Sequence, residues 1–143
     1  MRLFNKAKDG GSESPVDAYF LFEIKGVASV ALLKFNKGGR EAFHTHAFDA
    51  LTWFVKGDLL EEDVSGETYK YKKSIIPKIT PKSKNHRVLA KEDSYCLTVR
   101  GKWDKNWTEY DSKNNTTTVF NWGRSINQKL KGLYWLTVDT YKI

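Results

Sequence analysis

Short apolar runs, most of them four to eight residues long, recur along the chain with polar turns between them. Ala18 to Ile24 (AYFLFEI) and Val27 to Phe35 (VASVALLKF) are separated only by Lys25-Gly26, which predicts a β-hairpin. After the turn NKGG (Asn36 to Gly39), strands are predicted over Arg40 to His46, Ala50 to Lys56 and Leu59 to Val64. Ser65-Gly66-Glu67 forms the next hairpin tip, with Thr68 to Lys72 returning. Pro77 makes Ile75 to Ile79 an edge strand or an irregular segment, because proline cannot donate to a ladder. Further strands follow at His86 to Ala90, Ser94 to Arg100, Trp107 to Asp111 and Thr117 to Trp122. The opening Met1 to Pro15 reads as a strand or arm with a polar loop, and Leu130 to Ile143 as one or two more strands. No segment carries a 3.6-residue apolar stripe over more than three turns, although Ser125 to Lys131 suits one short helix. Such spacing predicts an all-β sandwich or barrel with little helix.

Composition changes this picture little. The 143 residues suffice for one domain with a buried core, and 14 % aromatic content suits β packing. The longest nearly apolar run, Val27 to Leu33, is too short to cross a bilayer, and MRLFNKAKDGG lacks the apolar core of a secretory signal. A cytoplasmic protein is therefore expected. The single cysteine, Cys96, excludes an internal disulfide and reads as a small buried hydrophobe. The net charge of +7 invites a polyanion, yet the lysines are mixed with acidic residues throughout. It reads first as a solvated basic surface, then as attraction for small anions, with nucleic acid as the weakest partner.

Candidate chemistry lies in three histidines. His44 and His46 are two apart on a predicted strand, so they share one face about 7 Å apart. His86 follows after a second run of strands. Three imidazoles brought together this way can grip one metal ion. The acidic pair Glu61-Glu62 reads as a solvated edge that discourages aggregation. Trp103 and Trp107 read as core packing, or as covers over a cavity mouth able to stack on a base or sugar. GxSxG, GxxxxGK[ST] and CxxC motifs are absent.

The stretch Gly38-x5-His44-x-His46-x3-Ala50-x6-Gly57 resembles the first motif of the cupin superfamily, whose pattern has glutamate where Ala50 stands. Ile75-x5-Pro81-x-Ser83-x2-His86-x3-Ala90 resembles the second, with both glycines and the terminal asparagine replaced. The resemblance implies a single-domain cupin over residues 1–143. Its fold would be a small jelly-roll β-barrel, and the molecule a homodimer. It implies one divalent metal ion (Fe, Zn, Ni or Mn) held inside by His44, His46 and His86. Strand phase then turns Arg40 and Ala42 inward with His44, and Thr52, Phe54 and Lys56 inward with Ala50. These make Arg40, Thr52, Phe54 and Lys56 the candidate substrate-binding residues, with Arg40 and Lys56 either holding an anionic group or lying at the rim in water.

Losing the glutamate leaves three neutral ligands, so the full charge of the metal remains to lower the pKa of bound water or to bind an anion. Within the superfamily, thiol dioxygenases resemble this chain in having three histidines. Asp49 replaces the carboxylate only if the turn is bulged, and strand parity argues against it. Two functions follow. One is a metal-dependent enzyme acting on a small anionic molecule, an oxygenase first and a hydrolase or isomerase next. The other is a non-catalytic module binding a nucleotide- or sugar-like ligand. The compact, lysine- and asparagine-rich chain suits a phage accessory product.

Overall fold

In β2 (Val16–Ile24) the inward side chains Val16, Ala18 and Phe20 are buried while Tyr19 and Leu21 are exposed, the alternation a half-buried strand requires. The computed structural model describes residues 1–10, 14–39, 42–121 and 125–131. Its strands are β1 (Arg2–Lys8), β2, β3 (Ala28–Phe35), β4 (Gly38–Gly39), β5 (Phe43–His44), β6 (Ala50–Lys56) and β7 (Leu59–Asp63). They continue with β8 (Thr68–Tyr71), β9 (Lys78–Thr80), β10 (His86–Ala90), β11 (Ser94–Arg100), β12 (Asn106–Asp111), β13 (Thr116–Asn121) and β14 (Ser125–Lys131). No helix occurs among the described residues, and so none long and apolar enough to cross a membrane.

The strands form two antiparallel sheets. One runs β1-β2-β3-β11-β6-β9; the other runs β14-β13-β12-β5-β10-β7-β8, with β4 also on β10. Between them lies a core drawn from both: Val16, Ala18, Phe20, Ala31, Leu33 and Cys96 from the first sheet, Leu59 and Ala90 from the second. A second cluster joins Ala47, Phe48, Trp107 and Phe120. This is a cupin-type all-β fold, as the sequence predicts; Ile75 to Pro77 are irregular, and β9 begins after Pro77 at the edge of its sheet.

Two expectations are corrected. Ser125 to Lys131 is strand β14, paired with β13 from Asn121↔Ser125 to Thr116↔Lys131. Ile126 and Leu130 lie four apart, a spacing that serves a helix face and a strand face equally; pairing with β13 decides between them. The strand expected over Arg40 to His46 is interrupted. Only β4 and β5 form, both on β10, while Arg40 and Glu41 lie outside the described residues. From residue 132 the expected C-terminal strand lies outside them too.

Asp17 ties β1, β2 and the end of β3 together. It pairs with Lys8 Nζ at 2.8 Å and accepts from Asn36 Nδ2 at 3.0 Å. The Lys8 hydrogen bond first, and that of Asn36 next, hold its carboxyl below the ordinary value of 3.8. A depressed carboxyl stabilises the fold above its unfolded value, and that contribution is lost as pH falls through the folded value. Urea unfolding at about pH 6 and about pH 3 is therefore expected to show wild type losing ground to Asp17→Asn on acidification. Parallel losses in the two proteins would contradict this tie.

Candidate metal centre

β5 is held between β10 and β12, with His44 opposite both His86 and Glu109 in register. Direct cross-strand partners share a face, so the His44 and His86 side chains sit together. Beyond β5 the chain leaves β10, and His46 N–H donates to Lys82 O at 3.1 Å. The interrupted strand thus keeps the two-residue phase that returns His46 to the same face. Thr45, on the opposite face, anchors the segment through Thr108: the two hydroxyls lie 2.9 Å apart and Thr108 N–H donates to Thr45 Oγ1 at 2.9 Å.

All three imidazole pairs have ring centroids 5.0 Å apart. One ligating nitrogen from each lies within 4.8 Å of the others, and His86 Nε2 is 3.5 Å from His46 Nε2. His86 is buried; His44 and His46 are half-buried at the edge of a cavity of about 900 Å³, counting its open mouth. Asp49 is exposed, with Oδ1 accepting from Lys82 N–H at 2.7 Å, so strand parity holds and the turn supplies no carboxylate.

The carboxylate comes from elsewhere. Glu61, expected at a solvated edge, is only 2 % exposed, and its Oε2 lies 2.7 Å from His86 Nδ1. The correction has a simple cause. β7 alternates, turning Leu59 and Glu61 inward while Glu62 turns out to meet Arg87 at 2.8 Å. Lys78 and Lys84 (2.6 Å) both pair with Glu61, and Tyr71 Oη–H donates to it at 3.4 Å. Burial pushes the Glu61 carboxyl up, but the hydrogen bonds from His86 and the two lysines outweigh it, leaving the group well below the usual carboxylate range. Burial lowers the Lys78 ammonium, against the opposing pull of Glu61, and burial together with Glu61 raises the Tyr71 phenol.

This arrangement fits a metal ion. An ionised carboxylate on Nδ1 makes that nitrogen the proton donor, which leaves the His86 Nε2 lone pair facing the other imidazoles. A carboxylate behind a ligating histidine fixes its tautomer and raises its basicity. Imidazole donors suit zinc, iron, nickel or copper.

Ala50, Thr52 and Phe54 line the cavity beside the histidines. Lys56 is exposed and is not among the described residues lining it; Arg40 lies outside the described residues. Two lining cations were missed from the sequence, Lys78 on β9 and Arg100 on β11. Phe48 stacks on His46 with centroids 5.4 Å apart, and Trp103 lies 5.4 Å from Phe48 on a tilted plane. Trp107 is buried and stacks on Phe120 at 4.6 Å, so it packs the core.

Cys96 also lines the cavity but is 1 % exposed, and burial pushes its thiol up to about 12. Thiolate is the nucleophilic form, so iodoacetamide is expected to label Cys96 only after unfolding, as read by mass spectrometry. Rapid labelling of the native protein would contradict that burial.

No protein-family model matches the chain, and no curated protein matches it. Solved structures do. The chain is similar to a sugar phosphate isomerase from a cupin superfamily of Silicibacter pomeroyi, at 18 % identity, TM-score 0.58, covering 87 % of this chain and 82 % of that one. An ectoine synthase from P. lautus is similar at 15 % identity, TM-score 0.54, over 66 % and 70 %. An RmlC-like cupin from Shewanella frigidimarina is similar at 15 % identity, TM-score 0.52, over 68 % and 83 %. Likeness at these identities is likeness of fold. The chain has the cupin fold, with three histidines gathered inside it.

Proposed function

We propose that this chain is a metal-dependent cupin enzyme that holds one divalent ion on His44, His46 and His86 and turns over a small anionic molecule in the cavity. The observation that carries the reading is the convergence of three imidazole nitrogens within 4.8 Å at a cavity wall. The buried, ionised Glu61 behind His86 supports it, because such a brace orients a ligating imidazole. When bound, the ion would supply Lewis-acid or redox chemistry and charge for an anion.

Oxygen chemistry is the first class within this reading. Three neutral donors leave positive charge available for an anionic substrate, and Val16, Leu33, Phe54 and Val88 provide a partly apolar chamber. The chain's own residues divide the remaining work. Glu61 fixes His86, Lys78 lines the chamber as a cation, and Tyr71 donates to Glu61. Phe48 shields one face of His46. Isomerisation is the second class, favoured by Lys78, whose ammonium lines the chamber and is lowered by burial, as a candidate proton donor.

Equilibrium dialysis against Fe(II), Zn, Ni and Mn, followed by elemental analysis, tests the foundation. Wild type is expected to retain about one ion per chain, and His44→Ala to lose most of it at the same free metal concentration. Equal retention by the two proteins, or none by wild type, would overturn the proposal. Oxygen uptake by iron-loaded protein with panels of small acids then separates the two reaction classes.

A further inference from the structure

Arg100 ends β11 on the inward face of its sheet, where it is 3 % exposed and lines the same cavity as the histidines. Its guanidinium lies 4.6 Å from the Phe48 ring, and Phe48 stacks on His46. One aromatic side chain therefore separates the cation from the metal-binding cluster. Asp9 accepts from Arg100 Nη2 at 2.6 Å, whereas the buried Nε has no hydrogen-bond partner among the described residues. Buried donors on charged groups are normally satisfied, so this N–H calls for an acceptor.

Strand register shows where an acceptor is missing. Arg100 is the direct cross-strand partner of Ala50, and both line the cavity. Ala50 stands where the cupin pattern carries glutamate, and its methyl group offers no oxygen. The chain thus places a buried cation beside a side chain with no oxygen to offer it. We propose that Arg100 anchors a carboxylate of the substrate, in the space that Ala50 leaves beside the histidines. This rests on the proposed enzyme function and names the chemical class of its substrate: a small carboxylic acid.

The local charge favours a carboxylate over a phosphate. Asp9 already neutralises the guanidinium in part, which suits a monoanion better than a dianion. A phosphate brings nearly two charges and three acceptor oxygens. Ser29 and Thr80, the cross-strand partners of Arg100 and Ala50, are single hydroxyls on either side, and in the adjoining row Thr52 and Thr98 lie 3.3 Å apart and bond to each other. Lys56 is exposed and cannot take this role from inside the cavity.

The test is nuclear magnetic resonance of the Arg Nε–H groups in ¹⁵N-labelled protein, titrated separately with acetate and with inorganic phosphate. Chelator-treated and metal-loaded samples are both used. Acetate is expected to shift the Arg100 resonance saturably in both, phosphate at equal concentration much less. Arg100→Lys is expected to weaken acetate binding, followed through shifts of neighbouring backbone amides, by about tenfold or more. Asp9→Asn is expected to tighten it several-fold by removing the competing carboxylate. A resonance indifferent to acetate, a response to phosphate alone, or an Asp9→Asn protein with a lowered melting temperature and unchanged acetate binding would each overturn the inference. The last outcome would make Arg100 a structural clamp on the N-terminal arm. Metal content of the same samples separates the two claims. Metal retained without an acetate response sinks only this inference, and an acetate response without metal retention sinks only the metal reading.

Discussion

Glu61→Ala is expected to destabilise the protein by about 3–5 kcal/mol, because removing one partner of a buried ion pair strands the other. Here two cations would be stranded: Lys78 and Lys84 both pair with Glu61, and their side chains are only 17 % and 24 % exposed. For a domain of this size the melting temperature should fall by roughly 10 °C. The same substitution removes the acceptor from His86 Nδ1, so metal affinity should fall by about 10–100-fold. Glu61→Gln separates the two effects. Its amide oxygen can still accept from His86, but it cannot balance two ammonium groups, so stability should fall more than metal affinity does. Glu62→Ala is the control. Glu62 pairs with Arg87 while a third exposed, and such pairs contribute about 0–1 kcal/mol. Thermal melts that place Glu61→Ala beside Glu62→Ala would remove Glu61 from the centre of this site.

The contrast between two adjacent glutamates shows what could be read from the chain and what could not. Alternation placed most of the strands, because a half-buried sheet writes its inward face at every second residue. β6 and β11 match the predicted bounds residue for residue. The same rule applied within β7 would have turned Glu61 inward with Leu59. Charge pulled the reading the other way, since an acidic residue is rarely buried without partners. Those partners, Lys78, Lys84 and His86, come from later in the chain, and β7 pairs with β10 only once the second sheet is assembled.

Arg100 was hidden for a similar reason. It ends a predicted strand before a glycine, and alternation along that strand does not show what would pair with a buried guanidinium. Its burial depends on Asp9 in the N-terminal arm and on Phe48 in the turn after His46. The three histidines were legible because their chemistry is scarce and their spacing matched a known motif. Lys56 was misplaced by extending strict alternation through an irregular stretch. Where β6 meets β11 the register shifts between Tyr95 and Cys96, and Lys56 at that end faces out.

Gly57→Ala is expected to cost about 3–5 kcal/mol without touching any side chain of the cavity, since strain and overpacking each contribute about 1–3 kcal/mol. Gly57 adopts φ +111°, a conformation that residues with a Cβ rarely take. A Cβ there would lie 2.1 Å from Ser94 Oγ and 2.6 Å from Ser94 Cα, so backbone as well as side chain would have to move. Ser94 has little room to yield. It is fully buried, its Oγ accepts from Asp58 N–H at 3.0 Å and its hydroxyl donates to Glu92 O at 2.8 Å. The contact joins the β6–β7 turn to the start of β11, and so fixes the entry of β7, the strand that delivers Glu61 to His86. Two other glycines isolate the causes. Gly66 has φ +93° with nothing within 4 Å, so Gly66→Ala should show the strain alone, about 1 kcal/mol. Gly26 has open space and no positive φ, so Gly26→Ala should be neutral or slightly stabilising. Urea denaturation of the three variants checks the order. Equal stabilities for Gly57→Ala and Gly66→Ala would show that the Ser94 contact does not hold the turn, and that β7 is positioned by its ladder with β10 instead.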